Sequence, residues 1–99
     1  MNLEQASSGF AAAGSPPRLE VLLKLVRMGP DGMTVGELQA ALDMPASTLA
    51  HHLRMLSDAE LIEQHKQGRQ VVNRAKFDVI RSLADYLLEE CCADGGACS

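Results

Sequence analysis

Residues 34–75 read TVGELQAALDMPASTLAHHLRMLSDAELIEQHKQGRQVVNRA, and the fold turns on this stretch. Thr34 stands three residues before Glu37, the spacing of a capping box, so a helix opens here. Val35, Leu38 and Leu42 give that helix one apolar face. Pro45 then starts a second helix after a turn of only a few residues. In it Leu49, Leu53 and Leu56 share one face. At 100° per residue, Ser47, His51, Arg54 and Asp58 point the other way. Two short helices joined by a tight turn, the second with a polar outer face, form a helix-turn-helix pattern. The period then changes. Leu61-Ile62 and Val71-Val72 flank QHKQGRQ with Gly68 at its turn, which predicts a β-hairpin with a basic tip.

Working outward, PPRLEVLLKLVRMG upstream predicts a helix. Pro17 suits its first turn, Leu19, Leu22, Leu23 and Val26 supply a stripe, and Gly29-Pro30 stop it. Residues 1–16, rich in Ala, Ser and Gly, predict a short, marginal helix in which Leu3, Ala6, Phe10 and Ala13 recur at helical spacing. Downstream, FDVIRSLADYLLEECC returns to the helical period, with Phe77, Ile80, Leu83, Ala84, Leu87 and Leu88 in a wide apolar stripe. A terminal helix so apolar in so small a protein predicts a dimer seam. The fold class expected is therefore mainly α with a β-hairpin wing: a winged helix-turn-helix. Residues 1–92 are expected to form one DNA-binding and dimerisation domain, and residues 93–99 a flexible C-terminal tail.

Ninety-nine residues suit one domain. With no Trp, one Tyr and two Phe, its core must be aliphatic. No basic leader and no apolar run of about 20 residues is present, so the expected location is cytoplasmic, where thiols stay reduced. The net charge of −4 hides a split: residues 45–76 carry +2 between flanks of −2 and −4. The middle segment is where an anion would dock. Ser47, Thr48 and His51 are placed to reach base edges, and Arg54 to lie nearer the backbone. Lys66, Arg69 and Arg74 on the hairpin are expected to contact phosphates. His51 and His52 diverge by 100°, so one ion cannot take both within a subunit; His52 lies nearer the leucine stripe and is expected to be a half-buried structural residue. No catalytic constellation is visible, and an enzyme is not expected.

All three cysteines, Cys91, Cys92 and Cys98, fall in the last nine residues, EECCADGGACS being the chain's end. Clustered thiols in a reducing compartment are ligands or redox sensors more often than staples. The run ELQAALDMPASTLAHHLRML followed by QGRQVVNRA resembles the ArsR/SmtB family of bacterial metalloregulatory repressors, over roughly residues 17–90. The resemblance implies a homodimer with first and last helices at the interface, operator binding at an inverted repeat, and release by an inducer. Family sites elsewhere are absent here: Thr34-Val35-Gly36 stands where the best-known arsenic repressors carry Cys-Val-Cys, and the last helix has Asp78 and Asp85 but no His. Cys91-Cys92-x5-Cys98 is similar to the arsenic repressors whose thiols follow the last helix, which implies As(III), with Sb(III) as a second inducer, held by Cys91, Cys92 and Cys98. Soft thiophilic ions favour thiolates, and As(III) takes three sulfurs in a pyramid whereas zinc prefers four ligands. The other readings of the same residues are a thiol-redox or sulfide-responsive repressor, and a winged-helix protein-interaction module without a DNA target.

Overall fold

A computed structural model describes residues 1–96. Its elements run α1 (Leu3–Ala13), α2 (Pro16–Met28), β1 (Met33–Thr34), α3 (Val35–Leu42), α4 (Ala46–Asp58), β2 (Ile62–Gln67), β3 (Gln70–Ala75) and α5 (Phe77–Leu88). The expected winged helix-turn-helix is present, with one strand more than expected. The short β1 pairs antiparallel with β3, Met33 opposite Asn73 and Thr34 opposite Val72, giving a three-stranded sheet in the order β1-β3-β2. Two residues carry no strand signal of their own, and pairing with β3 is what makes them a strand.

Local chemistry explains most boundaries. The Thr34 hydroxyl accepts from the Glu37 amide, and the Glu37 carboxylate accepts from the Thr34 amide, so the expected capping box starts α3. A second one, between Asn2 and Gln5, starts α1 and makes it firmer than its composition predicts. Ser15 is the N-cap of α2, with prolines following in its first turn. The hairpin turns at Gly68-Arg69, where Gly68 has φ 64 and Gln67 pairs with Gln70, the arrangement of a two-residue type II′ turn.

The core gathers Val21, Leu22 and Leu25 of α2, Leu38 of α3, Leu49, Leu53 and Leu56 of α4, and Leu61 and Ile62 at the root of the hairpin. For α4 the buried leucines are the expected ones. For the first two helices and the last, the expected stripes are only partly buried. In α2, Val21 and Leu25 are inside, while Leu19 and Leu23 are 40% exposed. In α1 the buried face is Ala6, Gly9 and Ala12, with Leu3 and Phe10 outside. The reason is close approach: a Cβ on Gly9 would lie 2.9 Å from a terminal methyl of Leu83, so α1 meets α5 through its smallest residues. Along α5 Leu83 is the buried residue, and Leu87 and Leu88 are each 67% exposed. Asn73 is a polar residue of the sheet interior. It donates from Nδ2 to the Met33 carbonyl (3.2 Å) and accepts at Oδ1 from Gln64 (2.7 Å), so one side chain ties all three strands.

Candidate nucleic-acid interface and thiol site

Helix α4 has two sides of opposite character. Leu49, Leu53 and Leu56 are sunk in the core; Ser47, Thr48, His51 and Arg54 are exposed along the other side. The helix begins at Ala46, which puts Ser47 and Thr48 in its first turn. Its N-cap is Pro45, which has no capping side chain, so the first amides stay open to an anion such as a phosphate. Polar side chains and open amides at one helix start can hold a phosphate and reach base edges together.

The hairpin stands beside α4, and every residue from Glu63 to Gln70 is exposed. Lys66 and Arg69 lie at its tip. Among the described residues the ion pairs are His65 with Glu63 (3.3 Å) and Lys76 with Glu60 (2.8 Å), so Arg54, Lys66 and Arg69 keep their charge for another partner. Hydrogen bonding to Glu60 holds the Lys76 ammonium above its ordinary pKa. Arg74 differs from the other wing cations. It is half-buried, its Nε donates to the Pro30 carbonyl (3.0 Å), and its stem lies against Gly32. One guanidinium N–H is thus used at the hairpin's root, where β3 meets the loop before β1. Between α4 and the hairpin runs an open groove lined by Ala50, Arg54 and Ser57 on one side and Gln64 and Val71 on the other.

His52 is 9% exposed, more buried than the half-buried position expected. Burial first, then the positive neighbours His51 and Arg18, hold its imidazole below the usual histidine pKa. Its Nδ1 and the Arg18 Nε are buried without protein partners. The two rings at 51 and 52 stand 5.9 Å apart and tilted, one outside and one inside, as their helical angle requires.

At the other end of the molecule, α5 stops at Leu88, before the cysteines. The Cys91 amide donates to the Leu88 carbonyl (3.0 Å), Ala93 to Glu90 (3.0 Å) and Gly95 to Cys92 (3.3 Å), so the chain leaves the helix in successive tight turns. Cys92 has φ 65, in the left-handed region. Consecutive helical residues would splay by 100°; this backbone instead brings the Cys91 and Cys92 sulfurs to 3.4 Å. That is a sulfur–sulfur contact, longer than the roughly 2.05 Å of a disulfide between these two, and neither is a free cysteine. Both residues are exposed. Cys98 lies outside the described residues. Among the described residues no three His, Cys, Asp or Glu side chains could hold a metal ion. Thr34, which caps α3, supplies no sulfur at the family's alternative position.

Sequence reasoning missed Asn73 and the commitment of Arg74. An Asn in an otherwise β-branched strand was the available signal for the first, since Asn is depleted in strands unless its amide is used. Nothing in the sequence marked the second.

Residues 14–65, more than half the chain, match the family model described as a helix-turn-helix domain. A transcriptional repressor SmtB homolog of Synechocystis is 30% identical over 96 residues, covering 90% of this chain and 70% of that protein. The chain belongs to the ArsR/SmtB family of winged-helix transcriptional repressors. An ArsR-like transcriptional regulator from Rhodococcus superposes with a TM-score of 0.78 at 28% identity, covering 92% of this chain and 82% of that one. The homodimeric winged helix-turn-helix DNA-binding domain of a possible ArsR-family regulator from Mycobacterium bovis shares the fold at a TM-score of 0.72 and 22% identity, over 98% of this chain and 90% of that one. The family consists of DNA-binding regulators, not enzymes. Among the described residues no helix is long and apolar enough to cross a membrane.

Proposed function

We propose that two copies of this chain occupy an inverted-repeat operator of an arsenic-resistance type operon and leave it when As(III) is held by Cys91, Cys92 and Cys98. The observation that carries the inducer is the 3.4 Å separation of the Cys91 and Cys92 sulfurs. Tetrahedral zinc, about 2.3 Å from each sulfur, sets its thiolates about 3.8 Å apart. A closer pair suits the narrower angles of trivalent arsenic, whose lone pair pushes its sulfurs together; Sb(III) shares that geometry. When bound, the ion would cross-link three thiolates. Cys91 and Cys92 supply two from the turn after α5. Cys98, five residues beyond Cys92 in the sequence, would supply the third.

The dimer rests on the apolar residues that α5 leaves uncovered, Leu87 and Leu88 above all. It agrees with the homodimeric state of the Mycobacterium bovis domain. One short recognition helix offers little contact area, and a twofold pair supplies two of them about one DNA turn apart. Release needs a route from thiols to α4. Leu83 of α5 seats on Gly9 of α1, and α1 packs in turn against α4. A pull on the end of α5 therefore reaches the recognition helix through a contact with no slack.

The test is arsenite titration of the protein on its own promoter duplex, with cadmium, zinc, sulfide and peroxide alongside. Cys→Ser at any of the three positions should leave DNA binding intact and abolish release by arsenite. Release of the triple Cys→Ser protein at the parent's arsenite concentration would place the sensor elsewhere. Release by peroxide or sulfide alone would favour a redox sensor.

A further inference from the structure

The side-chain hydrogen bonds of the sheet form a relay that ends at the groove beside the recognition helix. We propose that Asn73 is a positioning residue for DNA binding. It holds the Gln64 amide so that one Gln64 N–H, with Arg54 and Ser57 across the groove, receives a phosphate of the bound strand. This role rests on DNA binding alone and is independent of any inducer.

Asn73 is fully buried. The Met33 carbonyl can only accept, so the nitrogen of the Asn73 amide must face it, and Nδ2 donates at 3.2 Å. That turns Oδ1 toward β2, where Gln64 lies opposite Asn73. Oδ1 can only accept in its turn, so Gln64 must present Nε2, which donates at 2.7 Å. Flipping either amide would set oxygen against oxygen. Met33 immediately precedes Thr34, the N-cap of α3, so the relay starts at the helix-turn-helix and ends on the wing. Gln64 itself is exposed, and an exposed glutamine ordinarily samples many rotamers. Here its amide is held before DNA arrives, so DNA binding need not order it.

Gln64 lines the groove between the hairpin and α4, with Arg54 and Ser57 on the opposite wall. Three donors are offered from two walls: a guanidinium, a hydroxyl and the second N–H of the Gln64 amide. A hairpin on the DNA backbone beside a helix in the major groove leaves the phosphates of one strand to pass between them. Asp58 lines the same groove one helical turn beyond Arg54, on the side away from Ser47, Thr48 and His51. Its carboxylate repels a phosphate and confines the strand to the Arg54 end. A held amide suits that place, because it adds a contact of fixed direction without adding charge.

The experiment uses the full chain on its promoter duplex, read by fluorescence anisotropy, with Gln64→Met, Asn73→Leu and the double variant. Met and Leu keep the approximate shapes and remove the hydrogen bonds. Each single variant should bind at least about fivefold more weakly than the parent, with the parent's salt slope, because no charge is lost. In a chain already carrying Gln64→Met, Asn73→Leu should cost less than about twofold, since its effect passes through Gln64. A purely structural Asn73 would weaken both backgrounds equally. Thermal melting sets a temperature at which every variant is folded. Duplexes carrying single uncharged methylphosphonates then scan the backbone. At least one position should weaken the parent and leave Gln64→Met less affected, and this scan decides the matter even where Asn73→Leu does not fold. Gln64→Met binding within about twofold of the parent, equal losses from Asn73→Leu in both backgrounds, or a methylphosphonate profile unchanged by Gln64→Met would each overturn the assignment.

Discussion

Replacing Arg69 by alanine should flatten the salt dependence of DNA binding, and replacing Arg74 should not. Each protomer offers three fully exposed Arg and Lys side chains on the recognition helix and hairpin, Arg54, Lys66 and Arg69, or six in the proposed dimer. At about 0.9 released counterions per phosphate neutralised, six contacts give a slope of log affinity against log salt near −5. Raising salt from about 0.05 to about 0.2 M then weakens the parent by about three orders of magnitude. Arg69→Ala removes two contacts per dimer, so its slope should be shallower by about 1.8 and its loss over the same range only about two orders. Arg74 is different because its Nε already donates to the Pro30 carbonyl. Arg74→Ala should leave the slope unchanged and cost about 1 kcal/mol of stability from the lost hydrogen bond. The assay is fluorescence anisotropy on a labelled promoter duplex across a salt series, with thermal melting alongside. An Arg74→Ala protein whose slope flattens as much as that of Arg69→Ala would refute the assignment. So would an Arg69→Ala protein with the parent's slope.

Two further substitutions test the frame that holds this surface. Gly32 has φ 73, and a Cβ there would run into the Asn73 carbonyl and the Arg74 stem. Gly32→Ala should cost about 1–2 kcal/mol for the left-handed backbone and about 1–3 for overpacking, lowering Tm by about 10 °C or more. A melting point within about 3 °C of the parent would show that β1 is not fixed against β3 in this way. His52 has its pKa lowered in the folded chain by burial and by His51 and Arg18, so the folded state binds fewer protons than the unfolded one. Its stability contribution is therefore complete above the unfolded histidine pKa of about 6.5 and is lost as pH falls below it, by at most about 1.4 kcal/mol per pH unit. Urea midpoints measured at about pH 7.5 and about pH 5.5 should drop less for His52→Leu than for the parent; an equal drop would assign the acid sensitivity to other groups.

What the sequence disclosed and what it concealed follow from the number of sides each helix must satisfy. Helix α4 has a core on one side and an open face on the other, so its leucines and its polar residues separate cleanly at the helical period. The sequence places all three cysteines in one short window. The left-handed turn at Cys92 that joins two of their sulfurs was not legible there, since nothing local favours it over the helical alternative. Nor was Arg74, whose partner Pro30 lies 44 positions away. Helices α1, α2 and α5 were the hardest. They are apolar on more than one side, and periodicity marks an apolar stripe without saying what covers it. In α1 the stripe through Leu3 and Phe10 is largely outside, and Ala6, Gly9 and Ala12 take the core side because only they let Leu83 come close. In α5 the stripe continues past Leu83 to Leu87 and Leu88, which the other described residues leave exposed. If these residues served only a monomer, burial would have been achieved by turning each helix toward its larger side chains. In α1 the small residues face inward and the large ones outward, which is the arrangement a second copy would make use of. The exposed parts of the α1 and α2 stripes, with the α5 stripe expected as a dimer seam, are therefore the surface on which the proposed dimer would close. The thiol turn begins three residues beyond the last of them, at the end of α5 where a pull on the sulfurs would act on that surface.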